Sequence, residues 1–438
     1  MDKLADVLGR AGAWAGQNKI LSSIKNSFQT FMPLTIAGAV GLLWSNVLVN
    51  SSTGLGGIFP PIMVLEFLNP AFTAVFNATI SCITLGVTYG IAQEFAEASG
   101  EKGWFPGVVG LSAFLAVTPR SFDVVAESGE VIAAGGYAVG FFGATGLFTG
   151  MILGLVASAL YCKLRTIEGL KVKMPEQVPP GVAKAFEVLV PAILTMIVAG
   201  LIGLASDMIF NAPINDVIFT YVQKPMMQIG SSLGGVIVIY IFIMLFWFVG
   251  IHGNNMLSAV KETLFTPLIL DNVEKFNQGI PATSDEMNIF GMAWLQMFGE
   301  FGGSGVTLGL VLSIFIFGRR EDNRAIAALS VVPGIFNINE TVTFGIPMVL
   351  NPILGIPFII APVINIIFGY VITLIGFCPK AVLVTPWTTP PILFGFLTTG
   401  GNWRGAVSQF LALVLCTVVY APFLIAYEKY QNKQANQA

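Results

Sequence analysis

Charge is what this sequence has least of. Lys, Arg, Asp and Glu make up 10% of its 438 residues, where soluble domains run to about 25%. A folded surface of this size cannot be kept in water by so few ionic groups, which excludes a soluble globular enzyme. Disorder is excluded by the opposite excess, since 55% of the residues are hydrophobic and mean hydropathy is +0.79. The net charge of −3 and the absence of a long basic run exclude a nucleic-acid partner. Histidine occurs once, and Cys82, Cys162, Cys378 and Cys416 sit in or beside apolar segments without CxxC spacing. Metal sites need clustered His, Cys and carboxylates, so no zinc site, disulfide framework or cofactor is expected. What the chain does have is apolar runs of helical length, and the expected fold class is an all-α integral membrane protein.

A bilayer-crossing helix needs about 20 mostly apolar residues. Such runs lie near 28–49, 71–92, 137–160, 187–209, 231–250, 303–318, 352–377 and 405–427, with shorter ones at 106–118 and 255–270. Positive charge supplies the orientation, because cytoplasmic loops hold the excess of Lys and Arg. The N-terminus carries Lys3, Arg10, Lys19 and Lys25, and the loop 161–186 carries Lys163, Arg165, Lys171, Lys173 and Lys184. The stretch GRREDNR adds Arg319, Arg320 and Arg324, and the tail adds Lys429 and Lys433, whereas the loop 50–70 has no Lys or Arg. Placing all four basic regions on one side demands an even number of crossings between them. About ten spans, the two short segments included, satisfy that parity. Both termini are then expected in the cytoplasm.

Residues 1–25 place Leu4, Val7, Leu8, Ala11 and Trp14 at helical spacing among basic residues, the pattern of an amphipathic helix resting on membrane lipid. The Pro-rich VKMPEQVPPG within the loop 161–186 marks the expected boundary between a first transmembrane half, 26–185, and a second, 186–428, with a polar tail at 429–438. Gly140, Gly143, Gly146 and Gly150 recur at helical spacing and are expected to form a close-packing face.

Polar groups at membrane depth are costly, so their ordinary reading is a substrate or ion path. Three clusters fit that reading, all in the second half. Gly250-Ile251-His252-Gly253-Asn254-Asn255 follows an aromatic run, and its glycines predict unwound backbone lining a cavity. In Phe336-Asn337-Ile338-Asn339-Glu340, a carboxylate stands between two apolar runs, fit to accept a hydrogen bond from a hydroxyl and to take its proton. In Thr385-Pro386-Trp387-Thr388-Thr389-Pro390-Pro391, three prolines break any helix and the indole offers a flat face for a sugar ring. Glu300, in FGEFGGSG, and Gln296 one turn earlier stand close enough in sequence to join them. A carboxylate, an imidazole, several amides and an indole make a set suited to a polyhydroxylated ligand. No phosphate-binding GxxxxGK[ST] occurs.

The stretches IHGNN, FNINETVTFGIPMVLNP and TPWTTPP, with VPPGVAKAFE before the fifth span, resemble the lactose/cellobiose/diacetylchitobiose group of enzyme IIC permeases of the bacterial sugar phosphotransferase system. The resemblance covers essentially the whole chain. It departs where relatives commonly read NEPV or NEPI and this chain has Thr341 after Glu340. It implies ten transmembrane helices with re-entrant hairpins in the bacterial cytoplasmic membrane, and a homodimer built on the N-terminal half. It implies a disaccharide site in the C-terminal half, with His252 and Glu340 held near the sugar C6 hydroxyl and Asn254, Asn255, Asn337, Asn339, Trp387 and Glu300 around the substrate. Phosphate then comes from a phosphocysteine on a separate IIB protein, itself charged by IIA. None of the four cysteines lies in a long polar stretch, so the IIB and IIA functions are expected on other chains.

Overall fold

The computed structural model describes residues 2–51, 55–125, 131–175, 177–435 and 437. Its first helix, α1 (Asp2–Gln17), buries Leu8 and Gly12, one turn apart, and leaves Val7, Ala11 and Trp14 exposed. The expected surface face thus survives in part; the side chains of Lys3 and Leu4 lie outside the described residues. The helix ends because Asn18 turns its Oδ1 onto the amides of Ile20 and Leu21, at 3.0 and 3.1 Å, and caps α2 (Lys19–Leu43).

After a π-turn at Trp44–Leu48 and a 3₁₀ stretch at Pro60–Leu68 come α3 (Asn69–Ala78), α4 (Ile83–Ala98) and α5 (Phe105–Val117). An antiparallel pair follows, β1 (Ser121–Val125) and β2 (Val131–Gly135), with Ser121 opposite Gly135. This hairpin qualifies the all-α expectation: the architecture is mostly helical. Its short runs, SFDVV and VIAAG, are rich in β-branched residues and exposed, and so read as neither span nor loop.

Then come α6 (Leu147–Arg165), α7 (Pro180–Phe210), α8 (Ile214–Ile218), α9 (Lys224–Gly230) and α10 (Leu233–Phe248). The rest of the chain is α11 (Gly253–Met256), α12 (Ser258–Asn277), α13 (Met292–Leu295), α14 (Leu308–Phe317), α15 (Glu321–Ile335), α16 (Glu340–Gly345), α17 (Gly355–Leu374), α18 (Leu393–Thr398) and α19 (Trp403–Ala435).

Among the described residues six helical stretches are long and apolar enough to cross a bilayer, and a seventh if the pair Ile214–Gly230 and Leu233–Phe248, bent by 73°, is one span. The segments 106–118 and 303–318 form the short apolar helices α5 and α14. Segment 255–270 lies within α12, whose 20 residues include Lys261, Glu262, Asp271, Glu274 and Lys275. Every apolar run found in the sequence contains an α-helix, but 137–146 is 3₁₀ turns and loop, 303–307 is loop, and the helices are of unequal length and polarity.

The chain packs as two compact units, one of residues 17–35 and 77–227, the other of 1–16, 36–76 and 228–438. This partition by packing differs from the division at 185/186 read from the Pro-rich loop, since α7 and α8 pack with the earlier helices and the boundary falls within α9. In the unit 17–35 and 77–227, Ala113, Ala157 and Ala199 bring α5, α6 and α7 together. A Cβ at Gly150 would fall 2.2 Å from Thr88 Oγ1, and one at Gly154 2.9 Å from the Thr88 carbonyl, so α4 and α6 meet through these glycines. Gly140 and Gly146 do not share that face. They lie in 3₁₀ turns ahead of α6, Gly140 beside open space and Gly146 against its own Phe141 carbonyl.

Candidate functional site

All eight residues singled out by sequence fall in the unit 1–16, 36–76 and 228–438. The backbone there is held in loops that only particular residues allow. Helix α10 stops at Gly250, whose φ of +86° closes a turn with the Gly250 amide on Trp247 O and the Ile251 amide on Phe246 O. His252 then caps α11, its Nδ1 accepting from the Asn255 amide at 3.3 Å, and its ring lies 4.4 Å from that of Trp247. Gly253 is forced: a Cβ would sit 1.9 Å from the Ile243 carbonyl.

The second loop is Gly302-Gly303-Ser304-Gly305, with positive φ at all three glycines and at Val306. It receives two of the predicted amides. Asn254 Nδ2 donates to Ser304 Oγ at 2.8 Å, and Asn339 Nδ2 donates to the Ser304 carbonyl at 2.7 Å. Asn339 is 4% exposed, so its amide is committed to this bond.

Asn337, itself at φ +65°, ties this loop to the third. Its Oδ1 accepts from the Gly302 amide at 2.6 Å, and its Nδ2 donates to the carbonyls of Trp387 and Thr389 at 2.5 and 3.0 Å. The Trp387 side chain stays 44% exposed while its backbone is pinned. The prolines around it leave carbonyls unpaired by any helix, and those carbonyls are what Asn337 uses. Gln409, fully buried on α19, completes the scaffold by accepting from the Ile392 and Gly395 amides and donating to the Met297 carbonyl.

The two candidate carboxylates stand in opposite circumstances. Glu300, in the π-turn Gln296–Glu300, takes a hydrogen bond from Tyr240 Oη at 2.8 Å and an ion pair from Lys261 Nζ. Lys261 also donates to Asn254 Oδ1 at 3.0 Å. The pair is buried, with side chains 7% and 16% exposed for Lys261 and Glu300. Glu340, the first residue of α16, is exposed, and its carboxylate makes no hydrogen bond or ion pair with any other described residue. It lies within electrostatic reach of His252, as do Glu300 and Lys261. The Asn255 side chain is exposed on the same short helix.

Hydrogen bonds therefore link Asn254, Glu300 and Asn339 through Ser304 and Lys261, and Asn337 joins Gly302 to Trp387. Lys261, Ser304, Tyr240 and Gln409 were not anticipated. Lys261 had a signal, a cation inside the apolar stretch 255–270, which membrane polarity rules flag directly. Ser304 had none, because a serine among glycines costs nothing notable. Among the described residues no cluster of His, Cys, Asp and Glu is suited to hold a metal ion.

A mostly helical, multi-pass membrane protein that gathers amides, one imidazole and one unpaired carboxylate has the side chains to bind a hydroxyl-rich solute. The chain belongs to the phosphotransferase system EIIC family, whose model matches residues 9–362. It is 30% identical to the cellobiose-specific EIIC component of Lactococcus lactis subsp. lactis, over 96% of each chain. It is 31% identical to the lichenan permease IIC component of Bacillus subtilis, over 98% of this chain and 94% of that one. The crystal structure of the transporter ChbC, the IIC component from the N,N'-diacetylchitobiose-specific phosphotransferase system, matches with a TM-score of 0.87 at 29% identity over 96% of each chain. The protein is thus the membrane component of a sugar phosphotransferase system, working on a sugar with IIB and IIA partners.

Proposed function

We propose that this chain binds a β-linked disaccharide of the cellobiose or diacetylchitobiose type. It carries the sugar inward by alternating access and presents its C6 hydroxyl to a phosphocysteine on a separate IIB protein. The observation that carries the reading is the contrast between the two carboxylates. Glu300 is consumed by Lys261 and Tyr240, whereas Glu340 is exposed and unpaired, within electrostatic reach of His252. An unpaired carboxylate is a hydrogen-bond acceptor for a sugar hydroxyl and a base for its proton as the oxygen attacks phosphorus. His252, held by its Nδ1 bond to the loop, offers its other ring nitrogen to the same substrate. Trp387 supplies a stacking face. The cellobiose, lichenan and diacetylchitobiose systems of its relatives support a di- or oligosaccharide as the substrate.

Inside-out vesicles given phosphorylated IIB and radiolabelled disaccharide test this. Wild type forms phosphosugar. Glu340→Gln loses phosphorylation by about 10²-fold or more, the size of a positioned general base, while sugar affinity falls little. His252→Ala weakens both. Uptake that requires a pH gradient and yields unmodified sugar would overturn the reading in favour of proton-coupled transport through Glu340. Undiminished phosphorylation by Glu340→Gln would remove that residue's role.

A further inference from the structure

The cytoplasm-facing loop between α14 and α15 is more elaborately built than an orientation signal requires. Glu428 on α19 is 6% exposed, and its carboxylate accepts from the Arg319 amide at 2.8 Å, the Arg320 amide at 3.3 Å and Asn323 Nδ2 at 3.1 Å. Asn323, 2% exposed, also donates to Gln431 Oε1. Gly318 is needed for the turn, because a Cβ there would stand 2.5 Å from the Ile314 carbonyl and 3.2 Å from Glu428 Oε1. Arg324 returns to the Gly318 carbonyl, and Arg320 spans Asp322 and Asn432. The hydrogen bond from Arg320 holds the Asp322 carboxyl below its usual range. That pair is therefore present at neutral pH and lost only on acidification through that lowered value.

Membrane orientation depends on how many Lys and Arg a loop carries, not on its shape. Burying a carboxylate and an amide to fix seven residues is costly unless a shape is wanted. The shape it fixes displays cations in excess: Asp322 is paired with Arg320, and Glu321 is the one other exposed carboxylate in residues 318–324. Arg319 is exposed, and its guanidinium has no hydrogen bond or ion pair with a described residue. Arg324, Lys429 and Lys433 are exposed as well. Lys429 and Lys433 share a helix face with Asn432, which touches Arg320, so the helix extends the cationic patch beyond the loop.

The same hairpin reaches the site. Helix α14 begins just after Ser304 and α15 ends just before Asn337, so the basic turn lies about 15–22 Å from both by helical rise. A standard docking patch of about 800 Å² per partner spans a comparable distance.

We propose that residues 318–324, buttressed by Glu428 and flanked by Lys429 and Lys433, are a docking surface for the phosphorylated IIB partner. This rests on the function proposed above, which requires such a partner to approach from the cytoplasm. The occupant is chosen by charge: a protein surface bearing a phosphoryl group is negative where it must dock, and this patch is positive and shaped in advance.

The test uses the full-length protein in nanodiscs of purely zwitterionic lipid, and measures the Kd of phosphorylated IIB at two salt concentrations. Arg319→Glu/Arg324→Glu is expected to raise that Kd about tenfold or more and to flatten its salt dependence. Lys429→Glu/Lys433→Glu, at exposed side chains that make none of the loop's hydrogen bonds, should act in the same direction without disturbing the loop. Sugar affinity stays unchanged in both variants. An unchanged Kd in both variants overturns the proposal. So does an effect seen only after anionic lipid is added, which would make the patch a lipid-headgroup contact. Wild type that binds IIB yet forms no phosphosugar defeats the functional reading and leaves the docking surface standing.

Discussion

Two glutamates forty residues apart illustrate how neighbours decide what a carboxylate can do. Glu300 is held by a lysine and a tyrosine, and its charge is balanced inside the fold. Truncating one member of a buried pair leaves the other uncompensated, at a cost of about 3–5 kcal/mol. Lys261→Met is therefore expected to destabilise the protein by roughly that amount. Its loss should also free Asn254, which Lys261 restrains through Oδ1. Adding Glu300→Gln removes the stranded charge and should restore more than half of the lost stability. Thermal unfolding in detergent measures both. A single variant as stable as wild type, or a double variant no better than the single, would show that the pair is not what holds Glu300. Glu340 has no such partner, so its substitution is expected to leave stability nearly unchanged and to act on chemistry alone.

At the scale of the element, the candidate site is three loops held in register by two amides, Asn254 joining the first to the second and Asn337 the second to the third. Asn337 makes bonds to Gly302, Trp387 and Thr389, each worth about 1 kcal/mol when buried. Its positive φ suits asparagine or glycine. Asn337→Gly keeps the backbone and deletes the bonds, and should cost about 1–2 kcal/mol, because one bond is exposed and two are only partly buried. It should also lower sugar affinity by letting the Trp387 loop move. The chain has seven tryptophans, so the readout is the part of the sugar-induced emission change that Trp387→Phe abolishes, which should shrink in Asn337→Gly. A full-sized change at normal stability would show that Asn337 does not position the indole. The clusters around His252, Glu340 and Trp387 were legible in the sequence because polar groups and prolines are expensive in apolar runs. Residues that break no such rule were not. Ser304 and the glycines beside it draw no attention, although two site amides converge there. The β1–β2 hairpin is too short and exposed to stand out. Gly140 and Gly146 misled because glycine at helical spacing does not require a helix, and their segment is 3₁₀ turns.

For the whole molecule, the fold and the charge distribution make linked demands on topology. The C-terminal end of α19 bonds directly to the basic turn 318–324 through Glu428 and Asn432. Those two regions therefore lie on the same side of the membrane, as the positive charge of each requires. The loop 50–70 lacks Lys and Arg and is assigned to the opposite side. Single cysteines read this out. Cys378 and Cys416 are buried, 1% and 0% exposed, and will not react with a polar maleimide. Cys82 and Cys162 are partly accessible and must be replaced. Ile58→Cys, at a position 83% exposed in the loop 50–70, should be labelled by an impermeant maleimide in right-side-out vesicles. Lys433→Cys in the tail and Lys173→Cys in the loop 161–186 should be labelled only in inside-out vesicles. Labelling of Ile58→Cys and Lys433→Cys from one side would break the parity of crossings between them. Labelling of Lys173→Cys from the outside would reverse the orientation of α6 and α7. If IIB docks on the patch that Lys429 and Lys433 flank, the side from which Lys433→Cys is labelled is also the side from which IIB acts.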